Sequence, residues 1–269
     1  MKKGIDVSKH NGDINWKKVK PEIDFAMIRA GLGKNNIDIK FKQNANACTE
    51  LNIPFGVYWF SYAYNKEMAK NEAIYCINAI KNYNLRYPVC FDFEYDSYEY
   101  ARSKGKNLKP SEIKELCETF LSEIEKAGYY AMNYANTDYL KNYGMEGLTS
   151  RYDLWYGYPE KEKCNRSCGI WQYSFKGRIA GITGKVDLDY AFKDYPAMIA
   201  GSTEEKEIIR IEENEAIKNE FLKYFEEYRK VAEDVINGLY GNGEERKEQL
   251  KSIGYDPRIV QAIVNKAVG

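Results

Sequence analysis

The chain has 269 residues, 44% of them hydrophobic and 14% aromatic, and its 40 Lys and Arg balance 40 Asp and Glu. That length allows one large domain, or a medium one with an appendage. Cancelled charge argues against a dedicated nucleic-acid binder, which carries a basic excess, and no segment approaches the ~20 apolar residues of a membrane-spanning helix. The 24 tyrosines exceed what a core needs, and Tyr and Trp suit sugar- and peptide-binding surfaces because each joins a flat apolar face to a polar tip.

The N-terminal MKKGIDVSKHNGDI starts basic, but Asp6, Lys9 and Asp13 interrupt any apolar run behind it. It reads as mature sequence, with synthesis in the cytoplasm and no signal peptide. Residues 3–7 form a first strand, followed by the turn-rich SKHNGD and a short helix from Ile14 to Val19. Phe25–Gly31 is a second strand, Phe41–Leu51 a helix, and Ile53–Phe60 a third strand. A helix from about Lys66 to Tyr83 leads to Pro88-Val-Cys-Phe-Asp-Phe-Glu-Tyr95, whose alternation reads as a strand. Pro110 opens a helix with Ile113, Leu116, Phe120 and Ile124 on one face, and Gly128 closes it. Tyr129–Tyr134 is a fifth strand and Asp138–Tyr143 a short helix. Thereafter 153–157, 169–173 and 185–189 read as strands joined by loops alone. Strand–helix alternation predicts a parallel α/β sheet. Eight strands predict a closed barrel, irregular because helices are missing late in the chain.

Side chains two apart on a strand share a face, so Asp92 and Glu94 point the same way. Burial and like charge raise both pKa values, which equips one of them as a general acid near neutral pH. Asp6, Asp92, Glu94 and Asp187 fall at or near the C-terminal ends of predicted strands, the catalytic face of an α/β barrel. Tyr58, Trp59, Tyr134, Trp155, Trp171 and Tyr173 also fall near strand ends and are expected to rim that mouth. Carboxylates ringed by aromatics suit a glycosidase better than a metal enzyme. The six cysteines include one close pair, Cys164 and Cys168, far in sequence from the single histidine, His10. Reduced thiols are expected, with neither metal nor cofactor.

GIDVS in the first strand, the D-x-E of Asp92-Phe93-Glu94, IWQYS at 170–174 and VDLDY at 186–190 resemble the family 25 glycoside hydrolases over roughly residues 1–198. The resemblance implies an irregular barrel of eight strands and about five helices. It also implies a lysozyme cutting the β-1,4 bond after N-acetylmuramic acid in peptidoglycan, and so a phage-type endolysin acting on the wall after holin-type export or lysis. By motif, Glu94 matches the family's acid, Asp92 its D-x-E partner, and Asp6 and Asp187 two further acidic positions of the cleft. Asp189 is the rival to Asp187 on the same strand face and is grouped with the substrate-binding candidates Tyr58, Trp59, Tyr134, Trp155 and Trp171. The chain departs from the family at Trp59, where histidine is frequent, and at Trp155-Tyr156-Gly157-Tyr158, where W-I-A-x-Y is usual. A catalytically inactive glycan-binding barrel and a glycosidase of other specificity, such as a chitinase, are the alternatives.

Residues 203–237 are charge-dense and free of Gly and Pro, which reads as a helical linker over 199–228 running into the tail. Ile217, Phe221, Tyr224, Tyr228, Val231 and Val235 make a heptad-like seam that either packs on the final domain or pairs with a second copy. Residues 229–269 resemble the cell-wall-binding repeat of choline-independent phage lysozymes, a three-helix module. That resemblance places Gly241, Asn242, Gly243 and Arg246 near a muropeptide site. One copy alone is expected to bind weakly, which a homodimer would offset.

Overall fold

The computed structural model describes residues 1–268, without the side chains of 201–214, 216, 217 and 221. The chain divides into two compact units, Met1–Gly201 and Ser202–Gly269.

In the first unit the order is β1 (Lys2–Val7), α1 (Trp16–Val19), β2 (Phe25–Leu32), β3 (Asn36–Ile37), α2 (Phe41–Glu50), β4 (Phe55–Phe60), α3 (Lys66–Ile80), β5 (Val89–Asp92), α4 (Tyr95–Ser103) and α5 (Pro110–Lys126). There follow β6 (Ala131–Asn136), α6 (Thr137–Asn142), β7 (Asp153–Gly157), β8 (Ile170–Gly177) and β9 (Val186–Ala191). The strands pair in the order β1-β9-β8-β7-β6-β5-β4-β2, and a β1–β2 pairing closes the ring. The two-residue β3 is an added edge on β2 that the sequence reading omits. The eight-stranded irregular barrel is therefore as expected, and its irregularity has a definite form: β9 runs antiparallel to both neighbours.

Most barrel strands are buried on both faces, which is why they read as nearly continuous apolar runs. Alternate residues face in or out. Phe25, Met27, Tyr58, Cys90, Met132, Tyr134 and Trp155 pack together inside the barrel. Ala26, Ile28, Val57, Trp59, Val89 and Phe91 belong to the larger core beneath the helices. At the end of the barrel opposite the acids, Phe25 stacks on Tyr87 at 4.3 Å, and Tyr195 and Tyr130 both donate to Asp153, at 3.0 and 2.9 Å. Gly4 is obligatory beneath this plug, because a Cβ there would lie 2.3 Å from the Phe25 ring.

One local expectation needs correction. The strand expected over 88–95 ends at Asp92, and Glu94 instead precedes α4, a helix absent from the sequence reading. The Glu94 N–H donates to Ser97 Oγ at 3.1 Å, an N-terminal cap that diverts the chain from the sheet. Glu94 is still extended, with φ −124° and ψ −171°, so the period-two placement beside Asp92 survives the change of element.

The second unit comprises the latter part of α7 (Tyr195–Ile236), α8 (Gly243–Ser252) and α9 (Pro257–Val268). Tyr228, Val231, Ala232, Val235, Leu250, Val260 and Val264 form its core. Tyr228, Val231 and Val235 of the heptad-like seam are thereby used within the unit, whereas the side chains of Ile217 and Phe221 lie outside the described residues. The turn between α7 and α8 uses left-handed Gly238, Gly241 and Gly243, a conformation that residues with a Cβ enter only at a cost.

Candidate active site

The mouth of the barrel opens into a cavity of about 470 Å³, to which Asp6, Asp92, Glu94 and Asp187 all contribute. Asp6 stands near the C-terminal end of β1 and Asp92 ends β5. Asp187 reaches the same mouth from the start of its strand, not from its end as the sequence reading placed it. Because β9 is antiparallel, Asp187 lies directly across from Asp6 and Asp189 across from Gly4, one step deeper.

The acids sit in a hydrogen-bonded frame. Gln172 donates to Asp6 Oδ2 at 2.7 Å, and Tyr134 donates to Gln172 Oε1 at 2.8 Å. Trp155 Nε1 donates to Asp189 Oδ1 at 2.8 Å. Asp189 is fully buried and does not line the cavity, which gives it a supporting place beneath Asp6. Asp92 is 5% exposed, and its Oδ1 has no hydrogen-bond partner.

This burial sets the proton affinities. Desolvation, and then the charges of Asp96 and Asp187, push the Glu94 pKa up to about 7, against a hydrogen bond with Asp92 that lowers it. Desolvation raises Asp187 to about 6 and Asp189 to about 8. Asp6 and Asp92 are both driven well above the usual carboxylate range, first by burial and then by the neighbouring acids. Carboxyls this close cannot all ionise together, so the cluster retains protons near neutrality.

Of the aromatic candidates, Tyr58, Tyr134 and Trp155 line the cavity. Trp59 and Trp171, the other indoles expected at the substrate, do not line it. Their neighbours Tyr58 and Gln172 face inward, so strand alternation turns both indoles outward. Trp59 is fully buried under the helices against Gly31, where an added Cβ would meet its ring at 2.5 Å. Trp171 donates instead to the carbonyl of Tyr158 at 2.8 Å.

The cavity also contains residues that the sequence reading missed. Arg29, 8% exposed, bonds through Nε to Asp38 Oδ2 at 2.7 Å and lowers the pKa of Asp92. His10, Phe175 and Lys185 stand at the rim. The buried Arg29 offered one usable signal, a lone cation in the apolar run FAMIRAGL, because buried charges are paired or functional. No group of three or more His, Cys, Asp or Glu among the described residues forms a metal site.

In the second unit, the Arg246 guanidinium donates to the Gly241 carbonyl at 2.9 and 3.0 Å and to Asn242 Oδ1 at 2.8 Å. Gly243 and Arg246 line a cavity of about 1010 Å³ with Tyr228, Lys251, Tyr255 and Arg258, whereas Gly241 and Asn242 do not line it and hold Arg246.

A barrel with several buried, partly protonated carboxyls and inward aromatics at its mouth defines a carboxylate-type glycoside hydrolase site. The model for "Glycosyl hydrolases family 25" matches residues 5–182, and the chain belongs to that family. It is a lysozyme-type hydrolase, a muramidase, with peptidoglycan as its substrate. A "CW_7 repeat" matches residues 229–268, so the chain carries a C-terminal wall-binding repeat. The chain is 26% identical over 274 residues to the lysozyme of Streptococcus phage Cp-7, covering 97% of this chain and 69% of that one. Its fold is similar to that of the CTP1L endolysin, with TM-score 0.62, 22% identity, and 75% and 70% of the two chains covered. It is also similar to the modular autolysin LytC of Streptococcus pneumoniae, solved with a synthetic peptidoglycan ligand, with TM-score 0.63, 28% identity, and 70% and 46% coverage.

Proposed function

We propose that Glu94 is the general acid that cleaves the β-1,4 bond between N-acetylmuramic acid and N-acetylglucosamine, with Asp92, Asp6 and Asp187 as its electrostatic partners. The observation that carries this is Glu94 itself, at the cavity, where burial and then the charges of Asp96 and Asp187 raise its pKa to about 7, so that it holds a proton at the pH where it must give one up. Glu94 protonates the glycosidic oxygen as the bond to C1 breaks, and positive charge grows on C1 and the ring oxygen. Asp6 and Asp187 oppose that charge from the facing strands β1 and β9. Asp92, with Oδ1 unpartnered, accepts the substrate's acetamido N–H and steers the acetamido oxygen to C1. Water then opens the resulting ring, with Glu94, now ionised, taking its proton. Tyr58, Tyr134 and Trp155 supply the apolar wall beside the sugar. The 229–268 repeat holds the enzyme on the wall, with the Arg246 cavity as the seat of a muropeptide.

Mass spectrometry of fragments released from purified walls tests the specificity. Muramic acid at the new reducing ends is expected, whereas glucosamine ends, or activity on chitin alone, would overturn it. The proton affinities also fix a pH profile. Glu94 must be protonated, so the rate should fall as pH rises through about 7. Asp187 must be ionised, so it should fall again below about 6. A narrow optimum between these limits is expected in kcat/KM, and Asp187→Asn should remove the acid limb. Full activity at pH 9 would contradict Glu94 as the proton donor.

A further inference from the structure

Beside the catalytic cavity lies a second one of about 990 Å³, bounded by the segments that follow β2 and β4 and by α3 and α4. The hydrolysis described above makes no use of it. Its walls are phenolic and acidic. Tyr62, Tyr64, Tyr75 and Tyr100 contribute rings, with Tyr62 and Tyr64 set 4.9 and 6.4 Å from Tyr100. Glu67, Glu72, Asp96 and Glu99 contribute four carboxyls against one lysine, Lys34. Of these only Glu99 is engaged by a cation, Arg102 at 2.8 Å, in the ion pairs found among the described residues.

Glu72 sets this surface apart from an ordinary solvated acidic face. It is 2% exposed, its Oε1 accepts from the Tyr62 N–H at 3.0 Å, and its Oε2 has no hydrogen-bond partner. A buried carboxylate oxygen left without a donor is costly, and here it belongs to a residue that lines the cavity. Desolvation pushes its pKa up to about 7 against the lowering by hydrogen bonds from Ser61 and the Tyr62 N–H, a shift that an arriving cation would reverse.

Ring faces combined with carboxylates recognise ammonium groups, because the aromatic quadrupole attracts the cation while the acids accept its N–H bonds. Tyr100 already receives one, since Lys104 Nζ stands 5.2 Å from its ring centroid. An anion would be repelled here, and a neutral sugar could hydrogen-bond to the acids through its hydroxyls but would gain no ionic or cation–π attraction. We propose that this cavity is a binding site for a primary ammonium group carried by peptidoglycan. The naming of that source rests on the muramidase reading. Two parts of the wall polymer carry the chemistry, the side-chain amine of a stem-peptide diamino acid and the amine of a de-N-acetylated glucosamine. The two cavities adjoin, because Phe60 lines the catalytic one and packs on Tyr62 at 5.3 Å, while Asp96 lies two residues beyond Glu94. A strand of wall seated at Glu94 therefore brings its adjoining units alongside the tyrosines.

The test is calorimetric titration of the full chain with four probes: the tetrapeptide L-Ala-D-Glu-L-Lys-D-Ala, its Nε-acetyl form, the glucosamine dimer and its di-N-acetyl form. At least one free-amine probe should bind and lose about ten-fold or more in affinity on acetylation. The tetrapeptide as binder identifies the stem peptide, and the glucosamine dimer the deacetylated sugar. Tyr100→Ala and the conservative surface change Glu67→Gln should each weaken that binding by about ten-fold, with unchanged thermal melting certifying the fold. Equal binding of free and acetylated probes, no binding of either, or full binding by both variants would overturn the proposal. No bond is cleaved in this titration, so failure of the ammonium site and failure of the muramidase reading are seen separately.

Discussion

Glu94→Gln is expected to lower muropeptide release by about 10²- to 10⁴-fold, the range associated with a positioned general acid. The amide keeps the shape of the side chain but has no proton to give. The same substitution should leave the protein at least as stable, because burial and the charges of Asp96 and Asp187 penalise ionised Glu94. The sign follows from linkage. A carboxyl whose folded pKa is raised from 4.5 to about 7 contributes stability that is complete below its unfolded pKa and is lost as pH rises through the folded one. Glutamine does not titrate, so the melting temperature of the variant should gain on the wild type between pH 5 and pH 8. Rates and melting curves measured on one preparation separate catalysis from folding. Retained lysis would remove Glu94 from the role, and a widening stability deficit at high pH would contradict its burial among acids.

Arg29→Met carries the second large expectation. Asp38 has no exposed side-chain surface, and its Oδ2 is held by Arg29 Nε at 2.7 Å and by the Lys9 N–H at 3.0 Å, while Oδ1 takes the Lys40 N–H at 2.9 Å. Removing the guanidinium strands a buried charge, which costs about 3–5 kcal/mol. For a domain of this size each kcal/mol is worth roughly 2–4 °C of melting temperature, so a fall on the order of 10 °C is expected. Arg29 also holds down the pKa of Asp92, so the variant should shift the pH profile upward where it remains folded. Asp38→Asn added to Arg29→Met should recover part of the loss by discharging the stranded carboxylate. A single variant melting within a degree of wild type would show that the pair contributes little.

Both expectations depend on charges in the barrel interior, and the two residues differ in how far the sequence exposed them. Glu94 was legible because D-x-E keeps two acids on one side of any extended segment, and that relation held although Glu94 itself caps α4 and lies beyond the strand. Arg29 was passed over because a single cation in an apolar strand has no partner visible in one dimension. Its partner Asp38 arrives through the turn that β3 makes back onto β2.

Strand order in the sequence, the alternation with helices and the spacing of the acids determined the barrel and the gathering of carboxylates at one of its ends. These features are periodic or local, so neighbouring residues suffice to define them. Left-handed glycines and three helical segments likewise marked out the second unit. Tertiary structure alone decided which aromatics reach the cavity. Tyr58 and Trp59 are adjacent and equally suited to a sugar, yet the barrel has one inside, and closure assigned the inside to Tyr58. Closure also reversed β9, which brings Asp187 to the mouth from the start of its strand and sinks Asp189 beneath it. Direction and inside–outside sense belong to the closed sheet as a whole, because each strand acquires them only from the neighbours to which it bonds.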